Sequence, residues 1–140
     1  GGVCGGAAVV LLVFLLVIAI GIIAATAIPA YQDYTIRARA YEGLGSANAY
    51  KREVEEYVAT HGAWPNSFDF LGDYRPSMGP AVDKIRLREN GVLVVTYSEI
   101  AIIPGKSVAL IPTVDGQGFI SWKCHAVDIE NKYLPATCRQ

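Results

Sequence analysis

The sequence predicts an α+β fold: one long N-terminal helix, apolar through its first half, packed by its second half on a four-stranded antiparallel sheet, with a C-terminal disulfide loop. Three observations predict it. A charge-free run from Ala7 to Ala30 passes without a linker into an amphipathic helical pattern. Two pairs of β-type segments flank turn-forming residues. Cys124 and Cys138 bracket a turn-rich C-terminal stretch.

The apolar run is long enough to cross a bilayer, at roughly 1.5 Å per residue against about 30 Å of hydrocarbon. The first charged residue is Asp33. The stretch is too long for the apolar core of a cleaved secretory signal and continues into helix, so it reads as retained. From Tyr31 onward Ile36, Ala40, Leu44, Ala47, Val54 and Val58 recur at spacings near three, four and seven. Arg37, Arg39, Glu42, Lys51, Arg52, Glu55 and Glu56 occupy the other face. Gly62 and Pro65 stop the helix. A helix from Ala8 to His61 is far longer than a small domain needs to bury its own core, so its first half finds burial in lipid or in neighbouring subunits.

Residues 62–82 read as a loop packed by its own side chains, with Trp64, Phe68, Phe70 and Tyr74 filling the core of the domain, the other reading being an intersubunit patch. Four strands follow: Ile85 to Glu89, Val92 to Ser98, Ser107 to Thr113 and Phe119 to Lys123. Asn90-Gly91 joins the first pair, because a type I′ turn needs positive φ at both central residues. Residues 115–118 (Asp-Gly-Gln-Gly) join the second. The sheet is expected to lay Leu87, Val94, Leu110 and Ile120 over Ile36, Leu44 and Val54.

Composition limits the function. With about 30 residues in the apolar segment, the rest of a 140-residue chain makes one small domain. The formal net charge is −1, with Lys and Arg scattered among Asp and Glu, so no face reads as a nucleic-acid footprint. No Ser/His/Asp, Walker or metal-ligand spacing appears, and an enzyme is a poor fit. His61 and His125 read as surface residues and Glu55-Glu56 as a solvated helix face. No cofactor or metal is implied. Arg37 and Arg39 after the span weakly favour a cytoplasmic C-terminal domain. Cys124 and Cys138 favour the opposite, a disulfide formed in an oxidising compartment; two reduced thiols are the alternative. Cys4 is a conceivable lipidation site without a lipoprotein signal around it.

The run Gly21-Ile22-Ile23-Ala24-Ala25-Thr26-Ala27-Ile28-Pro29-Ala30-Tyr31-Gln32-Asp33-Tyr34-Thr35, followed by Arg37-Ala38-Arg39, resembles a type IVa pilin. Ile120-Ser121-Trp122-Lys123-Cys124 and Tyr133-Leu134-Pro135-Ala136-Thr137-Cys138-Arg139 resemble the same family, in the same order. The resemblance implies a structural subunit of a type IV pilus or pilus-like extracellular filament, serving adhesion, motility and surface functions. Residues 1–30 would then form the membrane-spanning and filament-core segment, and residues 31–140 the globular head, with 124–138 as a disulfide-bounded loop. The implied partners are further copies of the chain, the pilus assembly machinery and the inner membrane before assembly. The implied location is the surface of a Gram-negative-type bacterium.

Proline removes a helical N–H and clashes with the Ala25 carbonyl, so the helix is expected to bend or loosen there. The resemblance implies that Gly21 to Pro29 is helical in the membrane and extended in a polymer, the other reading being a mere kink in a stable span. The loop residues His125, Lys132, Tyr133, Pro135 and Thr137 are candidate receptor contacts, the other reading being a structural clasp. Aligned on Gly21 and Pro29, the family's mature start falls near Ala8, its preceding glycine at Ala7 and its early glutamate at Leu12. The usual glutamate and peptidase site are therefore missing. That departure favours a second reading, a non-polymerising inner-membrane protein that displays a periplasmic pilin-like head as an accessory or sensor.

Overall fold

The computed structural model describes residues 2–101 and 103–139, with backbone only for residues 2–4. The Cys4 side chain lies outside that description. Helix α1 runs Gly2–His61, followed by strands β1 (Val82–Leu87), β2 (Leu93–Tyr97), β3 (Ser107–Val114) and β4 (Ile120–Ala126). The chain divides into two compact units, with the boundary between Thr35 and Ile36.

In the N-terminal unit every side chain from residue 5 to residue 32 is exposed. Large apolar groups such as Leu12, Phe14 and Ile23 are more than half exposed. Pro29 lies inside the helix. Its missing N–H removes the helical donor to the Ala25 carbonyl. One turn earlier the Thr26 hydroxyl donates to the Ile23 carbonyl at 2.9 Å.

The second unit is a four-stranded antiparallel meander, in the order β1-β2-β3-β4, packed on the C-terminal part of α1. Helical spacing puts Ile36, Ala40, Ala47, Tyr50 and Val54 on one buried stripe. Leu93, Val95 and Tyr97 of β2 and Val108 and Leu110 of β3 complete the core. Gly62 ends α1 with φ +70, its N–H reaching the Val58 carbonyl at 2.8 Å. That left-handed cap is the role its sequence position suggests.

The Asn90-Gly91 expectation holds. Both residues take positive φ, 62° and 75°, while the Arg88 N–H donates to the Val92 carbonyl at 2.7 Å. A Cβ at Gly91 would also stand 2.6 Å from the Trp64 ring, so packing and turn geometry both require glycine there. One assignment is corrected. Val94 pairs with Arg86 and Ala109 on the solvent side of the sheet, and its neighbours Leu93 and Val95 face the helix. Leu93-Val94-Val95 is uniformly apolar, so the pleat parity could not be read from it.

Of the four loop aromatics, Trp64 and Phe68 pack against the core, and Phe68 lies 5.2 Å from the Tyr50 ring. Phe70 is half-buried and tilts against Tyr57. Tyr74 is exposed, contrary to the core expectation. It sits between Asp73 and Arg75 at the loop's surface, where the Arg75 guanidinium bonds the Gly72 and Tyr74 carbonyls.

Two tyrosines tie the head together through backbone carbonyls. Tyr50 donates to the Pro76 carbonyl at 2.8 Å, and Tyr97 donates to the Ala40 carbonyl at 2.8 Å. Burial pushes the Tyr97 phenol well above its usual range, and the Tyr50 phenol upward as well. Above pH about 10 an unfolded tyrosine loses its proton while the folded one retains it. The unfolded chain then binds fewer protons, so stability is full below that pH and falls as pH rises further. Urea melts between pH 9 and 11 should show that fall. Tyr97→Phe should flatten it, at a cost near neutral pH of about 1–2 kcal/mol for the lost hydrogen bond.

Candidate functional site

Two features stand out from the packed head. The first is the apolar part of α1, long and apolar enough to cross a membrane, with none of its apolar window buried within the chain. Gly21 is helical there and has open space where a Cβ would be. Pro29 is exposed as well, so neither position belongs to the packed core of the described residues.

The second is the C-terminal loop. Cys124 on β4 and Cys138 form a disulfide with their Cα atoms 4.6 Å apart. The loop is anchored from inside: Ile129 and Leu134 belong to the core, and Cys138 is buried with them. Arg37 of α1 donates from Nε to the Lys132 carbonyl at 2.7 Å, and Arg139 donates to the Leu134 carbonyl at 2.9 Å. Lys132 lies 4.9 Å from the Tyr133 ring centroid and 3.7 Å from Glu130. Ile129 and Leu134 thus point in, while Val127, Lys132 and Thr137 are exposed and Tyr133 and Pro135 half-buried.

His125 does not lie on this loop. It belongs to β4, opposite Ala109, on the solvent side of the sheet. The structure therefore groups Lys132, Tyr133, Pro135 and Thr137 and sets His125 apart. Leu134→Ala should cost about 2–5 kcal/mol, since it empties a fully buried site that pins the loop. Limited proteolysis would then cut within 127–137 before the rest of the head unfolds.

Two ties escaped the sequence reading. One is the Arg37 bond. The other is Trp122, whose Nε1 donates to Glu55 Oε1 at 2.7 Å while Lys51 Nζ lies 5.9 Å from the ring centroid. Glu55 is thus a helix-to-sheet clamp and not simply a solvated charge. Both His61 and His125 are exposed, as expected. Among the described residues, no group of three His, Cys, Asp or Glu is placed to hold a metal ion.

Comparison with known proteins fits this arrangement. Residues 36–139 match the model of the pilin family, described as a bacterial filament. The chain is 35% identical over 136 residues to the fimbrial protein EcpC of Eikenella corrodens, covering 92% of this chain and 88% of that protein. It is 34% identical over 154 residues to the type IV major pilin PilE1 of Neisseria gonorrhoeae, covering 92% and 84%. A fimbrial protein of Neisseria meningitidis serogroup A is 32% identical over 157 residues, covering 92% and 91%. The match reaches through the long helix, the antiparallel sheet and the disulfide loop together, and the chain belongs to the pilin family, the structural subunits of bacterial surface filaments.

Proposed function

We propose that this chain is stored in the inner membrane through the apolar part of α1, and that the type IV pilus assembly machinery of a Gram-negative-type cell moves it into the filament. Residues 1–30 form the filament core in this reading, and residues 31–140 the surface-facing head. The observation that carries it is that every side chain at 5–32 is exposed. Such a run is stable only in lipid or against other copies, and a helical polymer removes it from water without a membrane. Similarity to major pilins and fimbrial proteins favours polymerisation over a membrane-resident sensor.

Leu12 in place of an acidic residue is compatible with assembly. A buried ion pair contributes little net stability, and an apolar residue avoids its desolvation cost. A new charge does not. Leu16→Asp places an unpaired carboxylate at the centre of the run, at a cost of roughly 3 kcal/mol per subunit. Electron microscopy of sheared surface material should then find no filaments, with the protein accumulating in the membrane fraction. Wild-type filament numbers from that variant would exclude the apolar helix as the core.

The stretch from Gly21 to Pro29 is the adjustable section of the span. Glycine and proline both weaken the helix, the Ala25 carbonyl lacks its helical donor, and the side chains of the segment are exposed. Fast hydrogen exchange at Ile22 to Ala27 in assembled filaments is expected, and strong protection there would exclude an extended form. The loop group Lys132, Tyr133, Pro135 and Thr137, with its backbone fixed from inside, suits contact with a surface receptor at low ordering cost.

A further inference from the structure

Strand register gathers charges that the sequence scatters. Lys84 and Arg86 of β1 lie opposite Thr96 and Val94, and Lys123 of β4 lies opposite Ile111. These positions alternate with Ile85, Leu93 and Leu110, which face the core, so all three cations stand on the solvent face of the sheet. Arg88 continues the β1 row past the paired residues. All four side chains are exposed.

These cations differ from others in the head. Arg37, Arg39, Arg75 and Arg139 make hydrogen bonds within the chain, and Lys51 and Lys132 lie over aromatic rings. The side chains of Lys84, Arg86, Arg88 and Lys123, like those of Arg52 and Lys106, take part in none of the described hydrogen bonds, ion pairs or ring contacts, but only the first four share one face of the sheet. No Asp or Glu occupies a paired position on this face of the sheet. Two hydroxyl pairs lie there instead, Thr96–Ser107 at 3.0 Å and Thr113–Ser121 at 2.9 Å. In a chain of net charge −1, this is a local cluster of positive charge; the neighbouring carboxylates Asp83, Glu89 and Asp128, the last accepting from the Ser107 N–H, stand outside the paired positions of the face.

We propose that the solvent face of the sheet is a binding surface for a linear anionic polysaccharide. Along β1 the cations recur at about 7 Å, and the two charged edges are about 14 Å apart, three strand spacings. A chain bearing carboxylate or sulfate groups at intervals can therefore meet both edges, with its hydroxyls over the Thr and Ser pairs. The competing polyanions fit less well. Among the described paired residues the face carries no Phe, Tyr or Trp ring on which bases could stack, His125 being its one imidazole, and no projecting helix or ribbon to enter a groove. Its central apolar residues Val94 and Ala109 are each 9% exposed, and Ile111 at 37% is the single exposed large apolar side chain among the described paired residues of the face, too little to anchor in a bilayer. In a filament the face recurs with every subunit, which multiplies a weak single site; that amplification alone rests on the polymer reading.

The test uses the full chain dispersed in detergent, titrated with heparin, duplex DNA and phosphatidylglycerol vesicles at equal ionic strength. Heparin should bind most tightly and weaken steeply with added salt. The triple variant K84Q/R86Q/K123Q, which keeps the aliphatic stems of its cations largely in place, should lose about tenfold in heparin affinity with an unchanged melting temperature. Arg52→Gln, an exposed cation on α1, should stay within about twofold of wild type. Retained heparin affinity in the triple variant, an equal loss in Arg52→Gln, or tighter binding of DNA or vesicles would each overturn the proposal. If the triple variant melts early, K84Q and K123Q singly carry the same comparison, and wild-type affinity in both overturns it.

Discussion

Gly43→Leu destabilises the head by about 3 kcal/mol, while Gly45→Ala, two residues away on the same helix, stabilises it by about 0.5–1 kcal/mol. Gly43 is buried where α1 crosses β2, and a Cβ there would run into the Tyr97 ring. That ring cannot retreat. It is 1% exposed, and its hydroxyl is bonded to the Ala40 carbonyl on the preceding turn of the helix. A larger residue at 43 must push the helix off the sheet or break that bond, and either outweighs the roughly 1 kcal/mol that leaving glycine gives a helix. At Gly45 nothing lies within 4 Å and φ is ordinary, so only the helix-propensity gain remains. Thermal and urea melts of the two variants should move in opposite directions. A shared sign would mean that α1 does not pack on β2 at this point.

Replacing Cys124 and Cys138 together by serine should lower unfolding free energy by about 3 kcal/mol, the chain-entropy value for a loop of this length. The loss concentrates at the C-terminus. The disulfide joins β4, an edge strand, to the buried Cys138, and Leu134 packs in the same core. Without it, the residues after β4 are held by Ile129, Leu134, the Arg37 and Arg139 bonds to backbone carbonyls, and the bonds of Val127 and Asp128 to Ser107. Hydrogen exchange should rise first from 127 to 138 and only later in β2 and β3. Cleavage within the loop should precede global unfolding in the reduced protein. Equal melting of oxidised and reduced forms would show that these contacts hold the loop unaided.

Much of this was legible in order of strength of signal. The charge-free run, the helical period after Tyr31, Asn90-Gly91 and the paired cysteines each express a local rule: span length, face periodicity, turn φ and loop closure. Strand ends moved by a few residues, β1 beginning at Val82 and β4 continuing to Ala126, because pairing with neighbours decides where a ladder stops. Val94 went to the opposite face because three adjacent apolar residues carry no alternation. Glu55 acquired Trp122 across 67 positions of sequence, and Arg37 acquired the Lys132 carbonyl across 95. No local pattern signals such partners.

By itself, then, the sequence determined the main helix and strands, their order and the membrane-length helix, since these follow from composition and spacing along the chain; the family entered through the resemblance of its terminal motifs. Only the tertiary structure decided which glycine is indispensable, which carboxylate is a clamp, and which lysines and arginines share a face. Those properties belong to pairs of residues brought together by register and packing, and a linear pattern records neither the pleat parity nor the distance between them.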